Sequence, residues 1–306
     1  MIDQIQMQLL EEVAGLHEMP AGAYNIRANG GAGGRNTTAN IDIVTKDDKA
    51  GIDIKIKEGT KKESVHIPVV ISQSGLEETV YNDFYVGDDC DVTIVAGCGI
   101  HNSGDADSKH DGIHTFYIGK NSKVRYVEKH YGAGDGRGQR VMNPGTIVYL
   151  GENSYMEMEM VQIKGIDSTF RKTDAHLEAG ATLIVKEKLM THGCQTAISE
   201  YNAYLDGAGS SANIISRSVA KEESNQKFIS RLYGNAACSA HSECDSIIMD
   251  QAKIVAVPEI DANDPDAALI HEAAIGKIAG EQIIKLMTLG LTEEEAQEQI
   301  VNGFLK

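Results

Sequence analysis

The chain has no tryptophan, and aromatic residues make up only 5% of its 306 positions. A core of large rings is therefore excluded, and Val, Ile, Leu, Ala and Met must fill the interior. Thin repeated layers suit such side chains better than one thick core. Positive charge is also short: 28 Lys and Arg stand against 45 Asp and Glu, a net charge of −17. Such a surface repels phosphate backbones and anionic lipid, which argues against nucleic-acid and membrane-surface partners. No stretch approaches the roughly 20 apolar residues that span a bilayer. Met1 to Glu18 holds no basic stretch followed by an apolar run of signal length. The 5 cysteines are odd in number and scattered, so no disulfide framework is expected. The expected compartment is the cytoplasm, with thiols reduced.

What the sequence does contain is periodicity. Ile2, Ile5, Leu9, Val13 and Leu16 recur at helical steps, predicting one amphipathic helix that could cap an end of the fold. Gly30 to Arg35 lacks the Gly-Lys-Ser/Thr ending of a phosphate loop and reads as a turn, so no nucleotide site is expected on this chain. From about residue 40 the alternation has period two, the mark of strands. A Gly-turn-strand unit then recurs at Val86–Ile94, Ile118–Tyr126 and Leu150–Met158, with looser copies at Leu177 and Leu205. Gly87 to Gly119 and Gly119 to Gly151 are both steps of 32 residues, and Gly151 to Gly180 is 29. Units of this size cannot bury their own apolar faces, so they stack. The fold class is mainly β, a parallel β-helix solenoid; a β-sandwich is the rival, but its turns recur every 8–12 residues. Near the C-terminus, Ala279, Ile283, Leu286 and Met287 form a helical stripe ending at Gly290. Thr292 and Glu295 have capping-box spacing for a second helix. The organisation expected is 1–35 helix and Gly-rich linker, 36–260 β-helix core, and 261–306 a helical region that is either a cap or a docking site for a partner.

Two groups of side chains could carry chemistry. His241-Ser242-Glu243-Cys244-Asp245 is followed by His271-Glu272, which supplies thiolate, imidazole and carboxylate, the ligand types for iron and nascent iron–sulfur clusters. Against this, a free Cys is usually a small core residue. The second group is Cys98 and His101, followed by His110 and His114, a spacing compatible with a metal site or with a solvated loop between coils. His130 reads as structural, and Cys90, Cys194 and Cys238 as core or coil-lining thiols.

The runs His241–Asp250, Val257–Ala267 leading to His271-Glu272-Ala273, and Gly290–Ala296 with Ile300–Phe304 resemble the SufB side of the SufB/SufD family. Asp111–His114, Ile118–Asn121 and Tyr126–Gly132 fit it too, so the resemblance runs from about residue 80 to the end. It implies a right-handed parallel β-helix and a non-enzymatic scaffold that assembles a transient iron–sulfur cluster and passes it to apo-proteins. It also implies docking of a SufC-like ABC ATPase at the C-terminal helices and sulfur from a cysteine desulfurase or sulfur-transfer protein. Cys244, His271 and Glu272 match the family's assembly site, and Glu243 is added by adjacency alone. Two departures stand out. The chain is expected to lack the long N-terminal helical region of SufB, and Ile270 replaces an acid found in many SufB sequences. The short form resembles stand-alone members, implying a homodimer through the β-helix. Two readings compete: a β-helix carbohydrate-active enzyme, which needs paired carboxylates in a groove, and a protein that stably holds a metal or iron–sulfur cluster.

Overall fold

The computed structural model describes residues 2–306. Helix α1 (Gln4–Ala14) precedes two antiparallel hairpins, β1 (Ala23–Ala28) with β2 (Gly31–Asn36) and β3 (Ile41–Thr45) with β4 (Gly51–Ile56). The strands β5 (Lys61–Ile71), β6 (Glu77–Val86), β7 (Asp91–His101), β8 (Ser108–Ile118), β9 (Lys123–Ala133), β10 (Arg140–Met142), β11 (Gly145–Leu150) and β12 (Tyr155–Lys164) follow. Then come β13 (Ser168–Leu177), β14 (Thr182–Thr191), β15 (Thr196–Leu205), β16 (Ser211–Ala220), β17 (Asn225–Gly234), β18 (Ser239–Ile248), β19 (Lys253–Ala262) and β20 (Ala268–Gly276). Helices α2 (Gly280–Met287) and α3 (Glu293–Phe304) complete the chain.

Successive strands alternate between two sheets. The first runs β2-β1-β5-β7-β9-β12-β14-β16-β18-β20, and the second runs β19-β17-β15-β13-β10-β8-β6-β4-β3, with β11 continuing the β10 rung. Apart from the two hairpins, every pairing is parallel. The architecture is the parallel β-solenoid that the Gly spacing predicted. Its strands run past residue 260, since β20 ends at Gly276 and the helices begin at Gly280.

One corner explains the repeat. Asp89, Asn121, Asn153, Gly180 and Gly209 all have φ between 54° and 73°. Only Gly, Asn and Asp reach this region readily. The bend points each backbone N–H along the solenoid, where it donates to the next coil: Asp89 to the Lys120 carbonyl at 2.9 Å, Asn121 to Glu152 at 3.0 Å, Asn153 to Ala179 at 2.9 Å. Gly87 and Gly119 sit at the same corner, where a Cβ would stand 2.5 Å and 2.4 Å from atoms of the preceding coil. The Gly30 region also turns, but through Asn29 and Gly30, both at positive φ, which form the tight hairpin turn into β2.

Inside, side chains stack in columns such as Val92, Val124, Met156, Leu183 and Ala212, all buried. Outside the second sheet, Tyr85, Tyr117, Tyr149, His176, Tyr204 and Tyr233 stack ring on ring, 4.6–5.4 Å apart. Helix α1 does not cap the end. It lies on the outer face of the first sheet, packing Leu9 and Leu10 against Ile26 and Val70. Gly97 and Gly99 on β7 make room for it, because a Cβ there would meet the Val13 backbone at 2.7 Å and Leu9 at 3.0 Å. Helix α3 uses the same face farther along, burying Val301 and Leu305 against Val219 beside Met190 and Ile247. Its Thr292–Glu295 capping box is formed as the spacing predicted. Helix α2 buries no residue and leaves Ile284 and Met287 exposed. No helix among the described residues is long and apolar enough to cross a membrane.

Candidate functional site

The last coil is the open end of the solenoid. β19 edges one sheet and β20 the other, and among the described residues neither has a strand beyond it. An unpaired parallel edge presents free N–H and C=O groups. Here it also presents Val255, Val257, Ile260, Ile270 and Ile275, each more than a third exposed.

Cys244 lies on β18, one coil inside this mouth. Strand alternation turns its thiol inward with Ser242 and Ser246, and it is 1% exposed. Register places Ala273 over Cys244 and His271 over Ser242, so His271 is the diagonal neighbour of Cys244 on the inner face. Burial pushes the Cys244 thiol up; Ser246, whose Oγ is 3.6 Å from Sγ, opposes this, and the Glu187 charge adds to the rise. Burial, with a contribution from His241, lowers the His271 pKa. Its Nδ1 is buried without a hydrogen-bond partner. A neutral imidazole with an unused ring nitrogen is a competent ligand.

Glu243 and Glu272 do not join them. They pair in register with each other on the outer face. There Glu272 lies 3.5 Å from His241 Nε2, and burial together with Asp245 raises the Glu243 carboxyl. The four candidate residues thus form two pairs separated by the sheet. Period-two alternation carries this signal, since 271 and 272 on one strand must face opposite ways.

The second group divides similarly. Cys98, His110 and His114 point inward and are buried, whereas His101 Nε2 sits 2.7 Å from Ser103 Oγ on the other side. With them the fold gathers His130, which reads as structural, and Glu128, which pattern reading missed. Cys98, His110, His114, Glu128 and His130 line an interior cavity of about 20 Å³, room for about one water. Glu128 forms a buried ion pair with Arg171, and the Arg171 guanidinium also approaches Glu187 at 4.0 Å. Burial raises the Glu128 carboxyl, but Arg171 and His130 outweigh it and hold it well below the carboxylate range. Glu187 accepts from Ser199, Tyr201 and Ser216 at 2.5–2.9 Å. Ser216 in turn lies beside Cys244 in register, so buried polar groups extend from this network to the mouth. Cys90 and Cys238 are buried as expected; Cys194 is exposed, in a turn after Gly193. Among the described residues, no three His, Cys, Asp or Glu side chains are arranged to hold a metal ion.

Comparison with known proteins gives a consistent answer. The family model "SUF system FeS cluster assembly, SufBD core domain" matches residues 82–304. An iron-sulfur cluster assembly SufBD family protein of Pyrococcus horikoshii is 27% identical over 283 residues, 89% of this chain and 83% of that protein. One from Methanothermobacter thermautotrophicus is 27% identical over 239 residues, 77% of this chain; the match spans only 57% of that relative's length. The iron-sulfur cluster assembly protein SufB of Bacillus subtilis is 35% identical over 100 residues, 31% of this chain and 22% of that protein.

Proposed function

This chain belongs to the SufBD family of iron–sulfur cluster assembly proteins, and from that we propose that it is a non-enzymatic scaffold on which a transient cluster is built at the open end. The carrying observation is that Cys244 and His271 share the inner face beside an uncovered edge, with the His271 Nδ1 unpartnered. Cys244 supplies the thiolate that takes iron or incoming sulfur, and His271 a neutral nitrogen. Cys244 is withdrawn from solvent and His271 is half-buried, which shields a labile cluster, and both lie one coil or less from the mouth, which allows its release to apo-proteins.

Two donors are too few for a cluster. A second copy of the chain, pairing at β19 and β20 through the exposed Val257 and Ile270, brings a second Cys244 and His271 across a two-fold axis. Glu243 and Glu272 then serve as outer carboxylates that attract iron to this end. The bare apolar side of α2, with Ile284 and Met287, is the docking surface for a SufC-like ABC ATPase. Sulfur comes from a cysteine desulfurase or its transfer protein, and the setting is the cytoplasm.

The test is anaerobic reconstitution with ferrous iron, sulfide and dithionite, followed by visible absorption and circular dichroism. Cys244→Ser and His271→Ala should each reduce cluster yield at least about tenfold while the far-ultraviolet spectrum is unchanged. Yields equal to the unaltered chain would remove both residues from the site.

A further inference from the structure

A pocket near the opposite end holds an arrangement unconnected with the cluster site. It lies among β1, β2, the β3–β4 loop and β6, has a volume of about 300 Å³, and is lined by Arg27, Arg35, Lys46 and Lys49 with Asn25 and Asn82. Among the described residues no carboxylate lines it, although the chain carries a net charge of −17. Two of the four cations are neutralised from outside the lining. Lys46 is held between Asp53 and Asp83, and Arg27 donates to Glu78 at 2.7 Å. The other two have no carboxylate partner among the described residues. Arg35 is fixed by Asn25 Oδ1 at 2.8 Å and Thr45 Oγ1 at 2.9 Å, and Lys49 Nζ rests 4.6 Å above the Tyr81 ring. The site therefore offers two uncompensated positive charges.

Two buried polar atoms of the lining also lack partners: Arg27 Nε, a donor, and Asn82 Oδ1, an acceptor on a residue only 5% exposed. The orientation of Asn82 follows from the interior network. Glu128 accepts from the Tyr126 hydroxyl at 3.0 Å. With its proton committed, Tyr126 receives a hydrogen bond from His114 Nδ1 at 2.8 Å. Burial keeps His114 neutral, lowering its pKa to about 4, so its Nε2 is an acceptor. Asn82 then turns its amide Nδ2 toward that nitrogen, at 3.2 Å, which leaves the carbonyl oxygen of this pocket-lining residue without a partner.

We propose that this pocket binds a compact oxyanion that also carries an O–H donor. Arg35 and Lys49 hold the charge, Arg27 Nε donates to an oxygen, and the Asn82 carbonyl takes the hydroxyl proton. Hydrogenphosphate and small hydroxycarboxylates share this chemistry; sulfate has the charge without the donor. A site built around a buried acceptor rejects a ligand that cannot satisfy it. Most of the pocket's residues precede residue 82, where the match to the SufBD core begins.

Isothermal titration of the full chain at neutral pH and fixed ionic strength tests this with inorganic phosphate, sulfate, L-malate and succinate. Phosphate should bind at least tenfold more tightly than sulfate, or malate at least tenfold more tightly than succinate, and the stronger of the two pairs identifies the source. Lys49→Gln, a loop substitution, and Arg35→Gln should each weaken that binding about tenfold. Asn82→Leu should erase the preference for the hydroxyl-bearing partner of the pair. Equal binding within both pairs, or binding untouched by Lys49→Gln in a chain whose circular dichroism is unaltered, overturns the proposal.

Discussion

The two ends of the solenoid deal with their edges differently. At the N-terminal end each sheet is finished by an antiparallel hairpin, and the β1–β2 pair carries a register shift between Ile26 and Arg27. The edge strand β2 is Gly-Ala-Gly-Gly-Arg-Asn, and Val44 is the one large apolar side chain on β1–β4 that is strongly exposed. Irregular, small and polar edges of this kind do not invite further strands. At the C-terminal end both sheets stop in full-length parallel strands bearing exposed Val and Ile. One end is finished by hairpins within the chain and the other stops in uncovered full-length strands. Stability should therefore reside in the closed body and assembly at the open mouth.

The largest expected effect tests the closed body. Arg171→Met strips the guanidinium from Glu128 and Glu187, and should lower the unfolding free energy in urea by about 3–5 kcal/mol, the cost of an unpaired buried charge. A loss under about 1 kcal/mol would mean that water reaches the network and the body is not closed. Next is pH. Burial holds the His114 pKa down from 6.5 to about 4, so below pH 6.5 the unfolded chain binds a proton that the folded chain refuses. Its contribution is complete above that pH and should fall by roughly 3 kcal/mol as pH drops to 4. His114→Gln should remove this part of the pH dependence, measured by urea unfolding at each pH. The smallest effect contrasts the two edges directly. Val257→Asp with Ile270→Asp should weaken self-association at least about tenfold, some 1.4 kcal/mol, in sedimentation velocity. Val44→Asp at the far edge should leave association unaltered. Equal responses at the two edges would dissolve the distinction.

The body was more legible in sequence than the mouth. Gly87, Gly119 and Gly151 revealed the coil because backbone passes too close there for a Cβ. The capping box of α3 was legible for a similar reason, since it depends on residues three apart. The stripe of α1 found Leu9 and Val13 on its buried face but included the exposed Ile5, missed Gln6 and Leu10, and did not show what lies beneath; Gly97 and Gly99 were a local sign of that. Glu128, Arg171 and Glu187 escaped because inward positions of an alternating strand read as apolar, and the ion-paired partners lie 43 and 16 residues apart in the chain. At the mouth, residue types pointed to Cys244, His271, Glu243 and Glu272 together. The sheet then divided them into an inner and an outer pair.

The interior columns also have a variable step. Val92, Val124 and Met156 follow one another at 32 residues, whereas the later steps to Leu183, Ala212, Ala240 and Leu269 are 27–29. Each coil nonetheless advances the same ~4.8 Å, because the step is set by backbone pairing and not by coil length. The two helices on the first sheet, α1 centred on β7 and α3 on β16, are four such steps apart, roughly 19 Å. The solenoid is in this sense a ruler with fixed graduations. Residues added to a corner change the outline of a coil, and only the gain or loss of a whole coil changes the distance between what is mounted at its two ends.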